Sequence, residues 1–201
     1  MSIEKLEKSI GGIDIYLLDQ ILKERYDKES IILDAGCGDG RNLKWFYDND
    51  LICFGIDSNA SKIEAVKNKF KNQSSHFSVQ NLDVLTFKDK SFNHVICCAV
   101  LHFAQNTQHF LNMFSELIRV LKPGGSIFIR MTSNIGIEEV VKKVGDGVYF
   151  LPDNTNRFLI TSDLLQFLLS NFPITFIEPL KTVNVNNIRC MSTMLLQKDN
   201  I

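Results

Sequence analysis

The 201-residue sequence has no excess of charge: 22 Lys and Arg stand against 23 Asp and Glu, and neither sign forms a run. That balance leaves no electrostatic footprint for a nucleic-acid backbone or an anionic membrane surface. No apolar stretch reaches the length needed to cross a bilayer. The opening "MSIEKLEKSIGG" spreads charges through its length and lacks an apolar h-region, so no secretory signal is expected. The five cysteines, at 37, 53, 97, 98 and 190, are odd in number, irregularly spaced and without a C-x-x-C pair. A disulfide framework and a metal site are therefore not expected, and the cytoplasm is the expected compartment. Repeats, low-complexity tracts and linkers are also missing, so residues 1–201 read as one domain with a substantial core.

What the sequence does contain is alternation. In "IDIYLLDQILKERY" the apolar residues recur at helical spacing, which predicts an amphipathic helix over residues 13–26. "IILD" predicts a buried strand, followed by a glycine turn and a helix containing Leu43, Trp45 and Phe46. "LICFGID", "HFSVQ", "FNHVICCAVLHF" and "SIFIRM" read as further strands. Helices are expected at "NASKIEAVKNKF" and "TQHFLNMFSELIRVL", the latter ended by Pro123 and Gly124 in "KPGG". This order implies βαβ units and a mostly parallel sheet with helices on both faces. Residues 132–160 show weak periodicity and several turn formers. "TSDLLQFLLSNF" restores a helix with Thr161 or Ser162 as its N-cap, and "NVNN" joins two strands of a closing antiparallel hairpin.

Three glycines, Gly36, Gly38 and Gly40, occupy five positions directly after the first strand. Such a turn brings backbone close to a nucleotide-like ligand at the strand ends. The dinucleotide fingerprint G-x-G-x-x-G would place its third glycine where Arg41 stands. Asp34, two residues before Gly36, would repel a pyrophosphate and attract an amino-bearing ligand. Asp57 ends the second strand, where it can accept hydrogen bonds from both ribose hydroxyls. Asp83 follows the third strand and can accept from an adenine amine, with Leu82 and Val84 walling the base.

With "ILDAGCGDG", "FGIDSNA", "NLDVLTF", "FNHVICCAVLHF" and "RVLKPGGSIFI" in order over residues 30–131, the sequence resembles the class I S-adenosylmethionine-dependent methyltransferases of small-molecule type. The resemblance implies a doubly wound, seven-stranded Rossmann-like α/β sheet, mostly parallel, with an antiparallel C-terminal strand. It also implies S-adenosylmethionine as cofactor and S-adenosylhomocysteine as product. The cofactor set it implies is Asp34, Gly36, Cys37, Gly38, Gly40, Asp57, Ser58, Leu82, Asp83, Val84 and Cys98. Residues 1–29 then form a helical cover, 30–131 the cofactor core, 132–160 a substrate lid, and 161–201 a closing helix and hairpin. The fourth motif opens Phe92-Asn93 where the family commonly has Phe-Asp, at the strand's start and away from the cofactor end. Where nucleic-acid amino-methylating relatives carry Asn/Asp-Pro-Pro-Tyr/Phe, this chain has Cys98-Ala99-Val100-Leu101. A DNA or RNA substrate is accordingly not expected.

The acceptor side is less defined. His102 follows the fourth strand, where it serves as a general base or simply packs. His76, His94 and His109 read as surface or strand-start residues. Tyr16 covers the pocket or packs in the core. Arg130 and Arg157 bracket the lid, and together they suit a bidentate grip on an anionic group of a small acceptor. The competing expectation pairs them with Asp153 or Glu138. A monomer or homodimer is expected. The rival functions are a non-catalytic S-adenosylmethionine-binding protein and an NAD(P)-dependent oxidoreductase.

Overall fold

The computed structural model describes residues 2–200. Strands β1 (Ile31–Ala35), β2 (Ile52–Asp57), β3 (Phe77–Val79), β4 (Phe92–Cys98) and β5 (Leu121–Thr132) pair in parallel in the order β3-β2-β1-β4-β5. After β5 the chain forms a separate antiparallel sheet of β6 (Lys142–Lys143), β7 (Val148–Phe150) and β8 (Asn156–Phe158). It then rejoins the main sheet through β9 (Ile174–Phe176), β10 (Lys181–Val185) and β11 (Arg189–Lys198). The main path is seven strands, β3-β2-β1-β4-β5-β11-β10, and β11 runs antiparallel to both neighbours. This is the doubly wound α/β sheet of the methyltransferase type. β9 pairs with the far end of β11.

Helices α1 (Ile3–Ile10), α2 (Ile15–Leu22), α3 (Lys44–Asp48), α4 (Ala60–Lys69), α5 (Thr107–Val120) and α6 (Ser162–Asn171) complete the fold. Their starts follow from side-chain caps: Asp14, Asn59, Asn106 and Thr161 each accept a first-turn backbone N–H of α2, α4, α5 and α6. None of the helices among the described residues is long and apolar enough to cross a membrane.

The period-two pattern of the central strands divides the core between the two faces of the sheet. Leu33, Val95, Cys97, Ile127 and Ile129 pack with Phe110, Phe114 and Leu117 of α5. Their neighbours Ile32, Ile96, Cys98 and Phe128 pack instead with Phe46, Ile63, Val66 and Phe70. Connections leave β1 and β4 toward opposite edges, so the crevice at their carboxyl ends is the place where such a sheet binds ligands.

Three boundaries depart from expectation. The helix expected over residues 13–26 stops at Leu22, because Glu24 takes a left-handed φ of 55° and turns the chain. The first hairpin strand breaks into β9 and β10 around Glu178 and Pro179. Residues 132–160, legible only as turns, contain the β6–β8 sheet. Asn93, the departure in the fourth motif, plays a structural part, since its Oδ1 accepts from Ile31 N at 3.1 Å and from Lys122 Nζ at 2.9 Å. It ties the amino ends of three strands, far from the carboxyl edge.

Candidate cofactor and acceptor site

The glycine turn is fastened to β2 before any ligand is considered. Gly36 N and Cys37 N both donate to Ile56 O at 2.8 Å. At Gly36, with φ 90°, a Cβ would lie 2.2 Å from Val100 Cγ2, so no larger residue fits. Gly38 has φ 54° and nothing within 4 Å of a would-be Cβ, so here the backbone faces open space. Gly40 instead packs against Phe70 and Val66, and Cys37 is buried with its thiol toward Gly38 O.

Asp57 holds the turn in place: Oδ2 accepts from Gly38 N at 3.0 Å and Oδ1 from Asn59 N at 2.8 Å. Beneath the turn, Asp34 is 1% exposed and neither carboxylate oxygen has a hydrogen-bond partner. Burial pushes its pKa up to about 7; the nearby Asp57 charge adds to this and Arg41 opposes it. A cleft of about 540 Å³ runs from Gly36 past Asp57 and Ser58 to Leu82 and Asp83.

Val84 does not join this wall. The chain turns at Asn81, whose carbonyl accepts from Val84 N, and the Val84 side chain is left 71% exposed. Val100, Phe103 and Met113 also line the cleft, and nothing in the sequence pattern singles them out. His109, expected at the surface, lines the cleft and brings Nε2 to 3.9 Å from Asp83 Oδ2.

A second cluster forms where α2 meets the ends of β4 and β5. Asp14 caps α2 with Oδ1 and offers Oδ2 to Arg130 Nη1 at 3.2 Å; the Cys98 thiol lies 3.6 Å from the same oxygen. The Arg130 guanidinium lies over Tyr16, 5.3 Å from the ring centre. Arg41 donates to Gly12 O at 2.9 Å and reaches Cys98 Sγ at 3.7 Å. The Arg130–Arg157 grip is therefore not assembled, because the helix cap claims Arg130. Arg157 lies instead over Phe103, 5.1 Å from the ring centre. The local acids are otherwise engaged: Asp153 faces Arg189 at 3.7 Å, and Glu138 accepts from Gly136 N.

His102 sits in the 3-10 turn Leu101–Phe103, is 8% exposed, and its Nδ1 has no partner. Burial, with the charges of Arg157 and Arg189, pushes its pKa down to about 4. The ring meets Phe103 edge-on at 4.5 Å and stands behind that side chain rather than in the cleft lining.

Residues 33–129 match the family model described as "Methyltransferase domain". In Bacillus subtilis (strain 168), "Uncharacterized methyltransferase YodH" is 32% identical over 114 residues, 56% of this chain and 44% of that protein. The human "Probable tRNA methyltransferase 9B" is 31% identical over 100 residues, 50% of this chain and 21% of that protein. The chain thus spans less than half the length of these curated relatives. An S-adenosylmethionine-dependent methyltransferase structure from Clostridium acetobutylicum ATCC 824 shares the fold, with a TM-score of 0.72 at 14% identity over 98% of this chain and 97% of the other. Over residues 33–129, just under half of the chain, the sequence is that of a methyltransferase domain, and the chain shares the fold of the class I, Rossmann-like S-adenosylmethionine-dependent methyltransferase structures. The cofactor of that class fits the residues present: Gly38 leaves its approach open, and the buried Asp34 carboxylate lacks a partner that a ligand amine would supply.

Proposed function

We propose that this protein transfers the methyl group of S-adenosylmethionine to a small-molecule acceptor. The cleft that gathers Gly36, Asp57, Ser58, Leu82 and Asp83 along one edge carries this reading. In it, Asp57 would hold the ribose hydroxyls and Asp83 the adenine amine, and Asp34, buried beneath the glycine turn, would meet the amino group of the cofactor's methionine end. The cofactor supplies a methyl group already activated on a sulfonium. The chain itself aligns the acceptor and excludes water. The β6–β8 segment follows β5 and suits a lid over the carboxyl edge of the sheet. His102, buried outside the cleft lining with its pKa lowered to about 4, is a poor proton acceptor at physiological pH, and no proton-transfer step is assigned to it.

A dinucleotide is disfavoured because Arg41 stands in place of the third glycine and Asp34 lies under the turn. The formal net charge of -1 favours a small acceptor over tRNA. The test is transfer of label from methyl-labelled S-adenosylmethionine, with separate small-molecule and tRNA fractions of a cell extract. Label in the small-molecule fraction alone is expected. Label confined to tRNA moves the acceptor to a nucleic acid. Tight cofactor binding with no transfer to either fraction makes the protein a sensor.

A further inference from the structure

Arg130 gives Nη1 to Asp14 and keeps a buried Nε without a partner, and a second cation stands elsewhere on the carboxyl edge. Among the described residues no carboxylate is within ion-pair distance of Arg157; its Nη1 donates only to the carbonyl of the adjacent Asn156, at 2.8 Å. Its guanidinium rests on Phe103, which is 61% exposed and lines the cleft, so an uncompensated cation stands at the rim.

Two further observations converge there. His102, behind the same phenyl ring, is more than nine-tenths buried and its Nδ1 bonds to nothing. A buried polar atom left without a partner is costly, and a ligand atom would relieve that cost. Arg189, at the start of β11, is held by Asp153 at 3.7 Å, well beyond the roughly 2.7–2.9 Å of a charge-assisted bond. Thr155 N and Oγ1 donate to Asp153 Oδ1, at 3.1 and 2.6 Å, and fix that carboxylate with only its Oδ2 toward Arg189. The topology brings these residues together: His102 follows β4, Arg157 lies in β8, and β11 begins where β5 ends.

We propose that Arg157, Arg189 and His102 form a pocket for an oxyanion, a carboxylate or phosphate, carried by the methyl acceptor. The identity of the occupant as acceptor rests on the methyl-transfer reading; the anion site itself does not. The two guanidiniums supply bidentate donors, and the imidazole supplies an N–H. Burial is the main cause of the lowered His102 pKa and the two arginine charges add to it, so a bound anion offsets the smaller, electrostatic part. An anionic acceptor would in this way raise the basicity of the side chain beside it. Of the other charged groups nearby, His109 on α5 faces Asp83 at 3.9 Å, and Arg130 at the end of β5 gives Nη1 to Asp14 at 3.2 Å.

The test is a titration of histidine-labelled protein, saturated with S-adenosylhomocysteine, followed by nuclear magnetic resonance at constant chloride. Inorganic phosphate and acetate are the probes and acetamide is the neutral control. Expected is a saturable shift of the His102 ring signals with one or both anions and none with acetamide. The His102 pKa should rise toward the ordinary value of about 6.5. The tighter of the two anions identifies the oxyanion. Arg157→Gln and Arg189→Gln should each weaken it about tenfold while S-adenosylhomocysteine affinity is unchanged. Arg157→Lys, which keeps the charge, provides the comparison should the glutamine variant fail to fold, and an intermediate affinity is expected. A flat titration, an equal response to acetamide, or anion affinity unchanged in the variants overturns the pocket. Failure of the wild type to bind S-adenosylhomocysteine would instead overturn the methyl-transfer reading, and the anion titration would then be read on the free protein.

Discussion

At the scale of single residues, Asp34 and Asp57 are legible because they fall at the carboxyl ends of β1 and β2, whereas Asp83 lies beyond the end of β3 at Val79. What these acids do in the free protein is not legible. Asp57 spends a lone pair of each oxygen on Gly38 N–H and Asn59 N–H, so it shapes the turn as well as facing the cleft. Asp57→Ala should weaken S-adenosylhomocysteine binding by about 2–3 kcal/mol, as for hydrogen bonds to a charged acceptor, and Asp57→Asn by less. Calorimetric affinity within twofold of wild type would remove Asp57 from the site. Asp34 supports a sharper expectation. With a pKa of about 7 it is largely protonated in the free protein at pH 6.5, and a ligand ammonium would drive that proton off. Binding heats of S-adenosylhomocysteine should then differ between buffers of low and high ionisation enthalpy, reporting proton release, and Asp34→Asn should abolish the difference. Equal heats in both buffers for the wild type would place the amino group elsewhere. Val84 and His109 show why the rest escapes a reading of the sequence: a tight turn at residues 81–84 and the angle of α5 decide which side chains face inward, and neither leaves a pattern in the chain.

At the scale of elements, the alternation of strands and helices, the Thr161 cap and the hairpin turn can be read directly, since each rests on local periodicity or on a capping or turn-forming side chain. Breaks set by distant partners cannot. The interruption between β9 and β10 places Glu178 where it accepts from Lys23 at 2.8 Å, Arg25 at 2.7 Å and Lys181 at 2.8 Å. Asp19 of α2 joins through Lys23 and Lys181, so one network pins the N-terminal cover to the closing hairpin. Hydrogen bonds from these cations hold the Glu178 carboxyl far below the usual carboxylate range. Glu178→Gln should cost about 1–2 kcal/mol in chemical denaturation at neutral pH, discounted because the cations are partly exposed. A depressed carboxyl stabilises above its unfolded pKa, near 4.3, and loses that contribution as pH falls. The gap between wild type and variant should therefore shrink below about pH 4. A variant as stable as wild type at low salt would reduce the network to surface decoration.

For the whole molecule, alternation predicts a mostly parallel sheet with helices on both faces and the motif resemblance its seven strands, while its pH response depends on groups that burial has moved in opposite directions. Burial pushes the pKa of His94 down to about 4, Asp27 opposing it and Lys122 adding to it; His102 is likewise pushed down to about 4. The unfolded chain protonates both near pH 6.5, so between roughly 6.5 and 4 it binds protons that the folded protein refuses. Stability from these two histidines falls as pH falls. Asp34 acts in the other sense: the folded protein keeps its proton up to about pH 7, whereas the unfolded chain releases it near 3.9, so its contribution falls as pH rises. Two groups outweigh one, and the net slope of about 1.4 kcal/mol per pH step gives a rise of at most about 3 kcal/mol from pH 4 to 6.5. The discriminating variant is Asp34→Asn, which removes the opposing group and leaves the histidines. Although an acid has been deleted, its denaturation profile should be steeper than wild type on the acid side and should lose the decline that Asp34 imposes near neutrality. The measurement is urea denaturation from pH 4.5 to 8 in buffers free of phosphate and carboxylate, which would otherwise engage the arginines beside His102. A variant profile parallel to or shallower than wild type would mean that Asp34 is ionised beneath the glycine turn throughout, and the proton release expected on ligand binding would be lost with it.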